Sequence, residues 1–497
     1  MVPRLSTQAG VLAGSRAIGQ IANAAVSMVV VRYLSQHDFG TFRQIYLLLA
    51  TLMVLADLGF CESLYYFLPR FPEKHAAYLR RAFLVVGSLQ VGVGAALYGM
   101  RGALGRYFNN EDLPAHVGML AVALGLTVVT RLWEYQLIAQ KRILPASLVS
   151  GGYEIFKVAL MLTALAVSPT VGGLLAALVI SSAVKFLAYL WFLLREYRWF
   201  VGVAADEDAG MQLRYALALG VPAIFNVAAT QAHQYIVSFH TLPEEFAIYS
   251  VACFQVPIVG VLSTSIIEVM LVRITEARAQ GRLDEVKNTW LVACTRSLLI
   301  FVPIAVGLAA LSRPLIEAFF TRNYLAAAPL FALLMAALPL SALFTDNILR
   351  AFGEMRSYSA FYVSRLILVL VLGIAGVKLF GLWGAAASGV LALAIVKGSQ
   401  LRKVAELLET SVWRVLPWSR IARISAAAVI AALPVYFFGQ AVTPAWLSLA
   451  AGVPLYAAIY LLLAYSFGLI AREEVKRAAQ DLASFLGIAR AAGVKAP

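Results

Sequence analysis

The chain is 497 residues long, 61% hydrophobic and only 13% charged, with a mean hydropathy of +0.82. A soluble domain carries roughly one-quarter charged residues, so the composition excludes one and describes a polytopic membrane protein. Forty Lys and Arg against 26 Asp and Glu leave a net charge of +14. The basic residues concentrate in every second connecting segment, the positive-inside pattern, which accounts for the charge without a nucleic-acid partner.

The first apolar stretch, Val11 to Leu34, is about 24 residues and long enough to cross a bilayer as a helix. Arg16 interrupts its apolar core, so it reads as a retained first span and not as a cleaved signal peptide. Arg16, Gln20, Asn23 and Ser27 follow at intervals of four, three and four and share one helical face. Such a stripe either lines a wet cavity within a bundle or packs helix against helix. Apolar runs of suitable length then recur, giving roughly fourteen spans. Their centres lie near residues 22, 56, 91, 127, 156, 183, 225, 259, 300, 338, 368, 391, 430 and 457.

Segments after even-numbered spans hold Arg70, Lys74, Arg80 and Arg81, then Lys141 and Arg142, and onward to Arg402, Lys403 and Arg414. Segments after odd-numbered spans are poor in basic residues, which places both termini on the cytoplasmic side. The segment Arg273 to Thr289 carries Leu283, Val286 and Trp290 at helical spacing and reads as an amphipathic helix on the membrane surface. The tail from Glu473 reads either the same way or as a solvated end. Cys61, Cys253 and Cys294 sit in apolar runs without paired spacing, so neither a disulfide framework nor a metal site is expected.

The chain repeats itself. Asp38-Phe39-Gly40-Thr41-Phe42 is matched about 207 residues later by Glu245-Phe246-Ala247-Ile248-Tyr249, and Glu134, Gly172 and Lys185 are matched about 212 residues later by Asp346, Gly384 and Lys397. Six spans separate the partners, so the halves share one orientation and are related by an axis along the membrane normal. The expected organisation is all-α: a six-helix lobe over 1–204, a second over 205–403, two further spans over 404–470 and a cytoplasmic tail over 471–497.

Ionisable groups at membrane depth cost a few kcal/mol or more, which makes each a functional candidate. Arg131 with Glu134, Glu154 with Lys157, and Asp346 with Arg350 are spaced to neutralise one another on one helix face. Arg16, Lys185, Arg296, Arg365 and Lys397 have no obvious partner on their own helices. Span seven carries a related stripe, Asn226, Thr230 and His233, without the cation. These residues predict a bundle around a positively charged, hydrated cavity suited to an anion. The candidate substrate contacts are Arg16, Gln20, Asn23, Ser27, Arg131, Lys157, Lys185, Asn226, Arg296, Arg365 and Lys397. No cofactor is expected; Asp57, Glu134, Glu154 and Asp346 are the candidates for proton or sodium coupling.

The stretch from Val29 to Arg70, with Tyr33-Leu34-Ser35, Asp38-Phe39-Gly40 and Asp57-Leu58-Gly59, resembles the opening helical hairpin of the multidrug/oligosaccharidyl-lipid/polysaccharide exporter superfamily, and within it the Wzx-type polysaccharide flippases. The resemblance implies a V-shaped pair of lobes that moves an undecaprenyl-diphosphate-linked oligosaccharide from the inner to the outer leaflet of the bacterial cytoplasmic membrane, for O-antigen, capsule or exopolysaccharide assembly. A polymerase and a chain-length regulator would be partners of the same pathway. It also implies that Arg16 lies where related lipid II flippases carry a first-helix arginine. The rival readings are a cation-coupled drug exporter of the same superfamily, whose cargo is poorly matched to Arg and Lys, and a membrane polymerase or ligase, which would need a large outer loop. A non-transporting envelope scaffold predicts that the buried cations tolerate replacement.

Overall fold

The computed structural model describes residues 5–197 and 209–470, and every regular element among them is helical. The first half of the chain forms α1 (Leu5–Tyr33), α2 (Gln36–Leu55), α3 (Phe60–Arg70), α4 (His75–Gly99), α5 (Arg101–Tyr107), α6 (Leu113–Ala139), α7 (Ile143–Val167) and α8 (Val171–Tyr197). The second half forms α9 (Ala209–His240), α10 (Pro243–Ala252), α11 (Pro257–Ala279), α12 (Leu283–Ala310), α13 (Ser312–Phe320), α14 (Ala327–Leu334), α15 (Ala337–Ser341), α16 (Thr345–Ala351) and α17 (Met355–Leu407). Two more helices follow, α18 (Trp418–Ala441) and α19 (Ala445–Ser466).

Eleven stretches among the described residues are long and apolar enough to cross a membrane. Three of the expected fourteen lie outside that count, those near residues 22 and 259 and one of the pair near 368 and 391. On α1 the apolar stretch among the described residues is Ala17–Tyr33, which is shorter. The span expected near residue 259 is broken into α10 and α11 at Cys253–Val256, ahead of Pro257. The 53-residue α17 merges the two spans expected near 368 and 391. Gly381 (φ 57°, ψ −137°) turns the chain back on itself, and Gly376 then meets Gly384 so closely that a Cβ there would lie 2.7 Å from the Gly384 carbonyl oxygen.

Basic residues near the turns at one end of the bundle, hereafter the basic face, tie neighbouring helices together: Arg142 pairs with Glu196 (3.3 Å), Arg81 donates to Gln212 (2.9 Å) and Arg278 stands 4.4 Å above the Phe352 ring. Contacts tie the opposite face together: Arg32 donates to the Ala318 carbonyl (2.6 Å), and Asn109 donates to that of Phe239 (2.9 Å). The predicted surface helix over 273–289 does not form. Arg273 to Ala279 completes α11, Gly281 (φ 71°) makes the turn, and Val286 and Trp290 are fully buried in the first turns of α12. The apolar positions at helical spacing bury against protein, with Trp290 Nε1 donating to Leu343 O at 3.0 Å. The C-terminal tail from Glu473 lies outside the described residues.

The repeated motif places like on like. Phe39 and Phe42 of α2 and Phe246 and Tyr249 of α10 are all buried, and α2 packs on α10. Gly40 abuts the Pro243 backbone so tightly that any side chain would overlap its carbonyl. Further down, the chain leaves α2 through Leu58 and Gly59, both at positive φ (47° and 79°), and this kink presses on Gly220 of α9. The seam between halves is thus built on backbone contact at two heights. On the other side, α1 meets α11 where Gln20 lies against Gly260. α18 and α19 pack on α12 and α13, outside the repeat.

Candidate functional site

Four charged clusters lie within the bundle, each assembled from more than one helix or from distant turns of one. In the first, Glu154 Oε2 of α7 accepts from Lys157 Nζ and from Asn23 Nδ2 of α1, both at 2.7 Å. Lys185 of α8 stands 4.3 Å above the Tyr153 ring, within electrostatic reach of Glu134 and Glu154. Cation and ring attract through the negative face of the π system. Ser27 donates to the Asn23 carbonyl at 3.5 Å and continues the same face.

The second cluster is Asp57 with Arg131, 3.8 Å apart, at the kink after α2. Asp57 Oδ1 also accepts the Cys61 backbone N–H at 3.1 Å, and Arg131 Nη2 donates to Tyr135 Oη at 3.4 Å. The third joins α16 and α17: Lys397 Nζ donates to Asp346 Oδ2 (2.6 Å) and Thr345 Oγ1 (3.1 Å), while Gln400 Nε2 donates to Asp346 Oδ1 (2.7 Å). In the fourth, Arg365 Nη1 donates to Thr230 Oγ1 of α9 (3.3 Å), and His233 pairs with Tyr249 Oη at 2.8 Å.

These pairings correct the picture of five partnerless cations. Lys397 is ion-paired with Asp346, Lys185 has a ring and two carboxylates around it, and Arg365 has a hydroxyl partner. The partners come from other helices or from about 50 residues away, which same-helix spacing does not register. The matched charges of the repeat reappear as matched pairings: Asp346 holds Lys397, and their counterparts Glu134 and Lys185 lie within each other's field. Arg296 is not gathered with the others. It is exposed on α12 between Val292 and Ile300, one turn away on either side, and has no hydrogen bond or ion pair among the described residues. Asn226 is half-buried on α9 and Gln20 exposed on α1. The backbone of Arg16 lies in α1; its side chain, like that of Glu268, is outside the described residues.

Sequence spacing missed a buried polar network across the seam. Gln44 Nε2 donates to Ser238 Oγ (3.0 Å) and to Phe108 O (3.1 Å), and Asn110 Nδ2 donates to Gln44 Oε1 (2.6 Å) and Thr41 Oγ1 (2.8 Å). The only signal was Thr41 within the motif and Gln44 three residues on. Nearby His37 bridges the halves, its Nδ1 2.9 Å from Glu244 Oε1 and its Nε2 3.0 Å from Asp112 Oδ2. His37→Ala removes both contacts, so spin labels at Glu111 and Glu245 are expected to report a longer and broader distance distribution than in the parent protein. An unchanged distribution would show that the bridge does not hold this face closed.

Helices in two repeated halves that meet along a glycine-rich seam, with charged clusters inside, are an arrangement found in membrane transporters. The fold is shared with solved structures of that class. It matches the lipid II flippase MurJ in an inward closed conformation with a TM-score of 0.70 at 14% identity, covering 91% of this chain and 97% of that one. It matches an inward-facing multidrug resistance MATE family transporter of the MOP superfamily at 0.60 and 14% identity, covering 80% and 96%. A MATE transporter of Vibrio cholerae matches at 0.57 and 14%, covering 81% and 98%. A family model described as polysaccharide biosynthesis protein matches residues 29–329, more than half of the chain. The chain therefore belongs to this polysaccharide biosynthesis family. No curated protein matches it.

Proposed function

We propose that the protein carries a lipid-diphosphate-linked oligosaccharide, with undecaprenol as the lipid, across the bacterial cytoplasmic membrane by alternating access of its two halves. The observation that carries the reading is the cluster of Asn23, Glu154, Lys157 and Lys185 inside the bundle of a polysaccharide biosynthesis family member. A diphosphate in bare hydrocarbon costs on the order of tens of kcal/mol. Lysines and amides replace its lost hydration with charge-assisted hydrogen bonds. By its spacing in the sequence, seven residues before Asn23, Arg16 is the candidate for a further cation on this path.

In this reading the basic face is cytoplasmic, both termini lie there, and the product is delivered to the outer leaflet for polymerisation. Moving two negative charges outward across an inside-negative potential of about 100 mV releases roughly 4 to 5 kcal/mol. Of Asp57, Glu134, Glu154 and Asp346, Glu154 is best placed to couple a proton or sodium ion, because neutralising it frees both Asn23 and Lys157 for the phosphates. The test is Arg16→Ala, alongside the Lys157→Ala/Lys185→Ala double variant, in proteoliposomes containing a fluorescent lipid-linked oligosaccharide. Both are expected to lower outward transport at least tenfold while remaining inserted. Parent-level transport by a stable Arg16→Ala protein removes Arg16 from the path, and the same result for the double variant overturns the reading.

A further inference from the structure

We propose that His37 is a proton-binding site on the outward face, which latches the two halves together when occupied and releases them when empty. The latch rests on the alternating-access reading above, which makes the face opposite the basic one outward, and adds to it a regulating ligand, the proton of the outer medium. His37 stands in the first turn of α2, on the first half. Its Nδ1 lies 2.9 Å from Glu244 Oε1 of α10, on the second half, and its Nε2 lies 3.0 Å from Asp112 Oδ2, immediately ahead of α6. The side chains of His37, Glu244 and Asp112 are 36%, 43% and 66% exposed, so water reaches all three.

These contacts set the protonation state. A neutral imidazole has one N–H and one bare nitrogen, while an ionised carboxylate only accepts. With a carboxylate at each ring nitrogen, both contacts are hydrogen bonds only when the ring carries both protons. A carboxyl proton would serve a neutral ring instead, but Glu244 lies in the first turn of α10 and Asp112 immediately precedes α6, where the positive end of a helix dipole favours the ionised acid. The same end of the α2 dipole opposes a charge on His37. The imidazolium therefore depends on its two carboxylates, and parting of the halves takes Glu244 away from it.

The other contacts that join the halves at this face do not respond to pH in the imidazole range. Arg32 to the Ala318 carbonyl, Asn109 to that of Phe239 and Gln44 to Ser238 involve a permanent cation or neutral groups, and Gly40 against Pro243 is a backbone contact. Asp38 accepts from Ser35 Oγ at 2.7 Å, and His240 Nδ1 lies 2.8 Å from the Ile236 carbonyl of its own helix. Arg106, Glu111 and Glu245 are exposed, and His116 of α6 lies in the field of Asp112 and Asp38. Linkage then fixes the sign. A proton held more tightly with the halves together favours that state, so acid on the outer side closes the face and alkali parts it. For groups this exposed the coupling lies at the low end of the usual range, about fivefold.

The experiment uses the full-length protein in nanodiscs without substrate, with spin labels replacing Glu111 and Glu245, at about pH 5.5 and about pH 9, on either side of the ordinary imidazole range. The parent protein is expected to favour the short distance at the acid pH, and the ratio of short to long populations to fall about fivefold at the alkaline one. His37→Gln and Glu244→Gln are each expected to hold that change below about twofold, and His116→Gln to retain it. A parent distribution that does not change with pH, a response that survives in either the His37→Gln or the Glu244→Gln protein, or one lost in His116→Gln overturns the latch. Because no substrate is present, each of these outcomes leaves the flippase reading standing, and that reading falls only on the transport assay.

Discussion

Gly220→Val is expected to abolish transport while leaving the protein inserted in the membrane, because it wedges the seam between the halves open. A Cβ at this position would lie 2.5 Å from Leu58 O and 2.8 Å from Gly59 N, where no real Cβ is found. The obstacle is backbone, not the end of a flexible side chain, and Leu58 and Gly59 are already held at positive φ. They cannot yield without unmaking the kink that positions Asp57 for Arg131. Overpacking of this kind costs about 1 to 3 kcal/mol in a well-packed core. Here α9 can escape by moving away from α3 as a body. Spin labels at the exposed residues Glu73 and Gln280, one on each half at the basic face, are expected to report a longer distance in the variant. A parent-like distance together with parent-like transport would show that the seam need not close at this point.

Loss of the Lys397 ammonium has the second large effect, on stability. Lys397 is 8% exposed by side chain and donates to both Asp346 and Thr345. Lys397→Ala leaves the carboxylate with Gln400 as its remaining donor. Breaking one side of a buried ion pair typically costs about 3 to 5 kcal/mol. The side chain of Asp346 is 25% exposed, which lowers the expectation to roughly 2 to 3 kcal/mol. Thermal unfolding in detergent should show the drop, and Asp346→Asn in the same chain should recover much of it by removing the orphaned charge. If the double variant is no more stable than Lys397→Ala, the pair is not the source of the loss. The interaction energy of the cycle separates this pair from general damage to α17.

Several features were legible because they depend on residues close in sequence. The apolar runs over α4, α6, α7, α8, α12, α18 and α19 are long and contain few charges, so length and composition suffice to identify them. The repeat was legible in the same way, since a duplicated motif such as Asp38 to Phe42 and Glu245 to Tyr249 keeps its own spacing. The break between α2 and α3 was only hinted at by Asp57-Leu58-Gly59, and the reversal at Gly381 was read as two spans without its geometry. Helical periodicity identified an apolar face at Leu283, Val286 and Trp290, but periodicity does not say what covers a face. Protein covers it here, where a membrane surface was expected.

Pairing of charges was the part that sequence could not supply. Spacing of three or four tests partners on one helix, and it found Glu154 with Lys157, a pair that the structure contains at 2.7 Å. Asp57 meets Arg131 across 74 residues, and Asp346 meets Lys397 across 51. Tyr65 meets Tyr135 across 70. Composition and hydropathy by themselves determined that the chain is a helical membrane protein, because the hydrophobic effect and backbone hydrogen bonding act on each segment alone, and the repeated motif pointed to two like halves. Which charges are neutralised, which glycines carry the seam and which rings stack depend on contacts between segments far apart in the chain. Only the tertiary structure decides those.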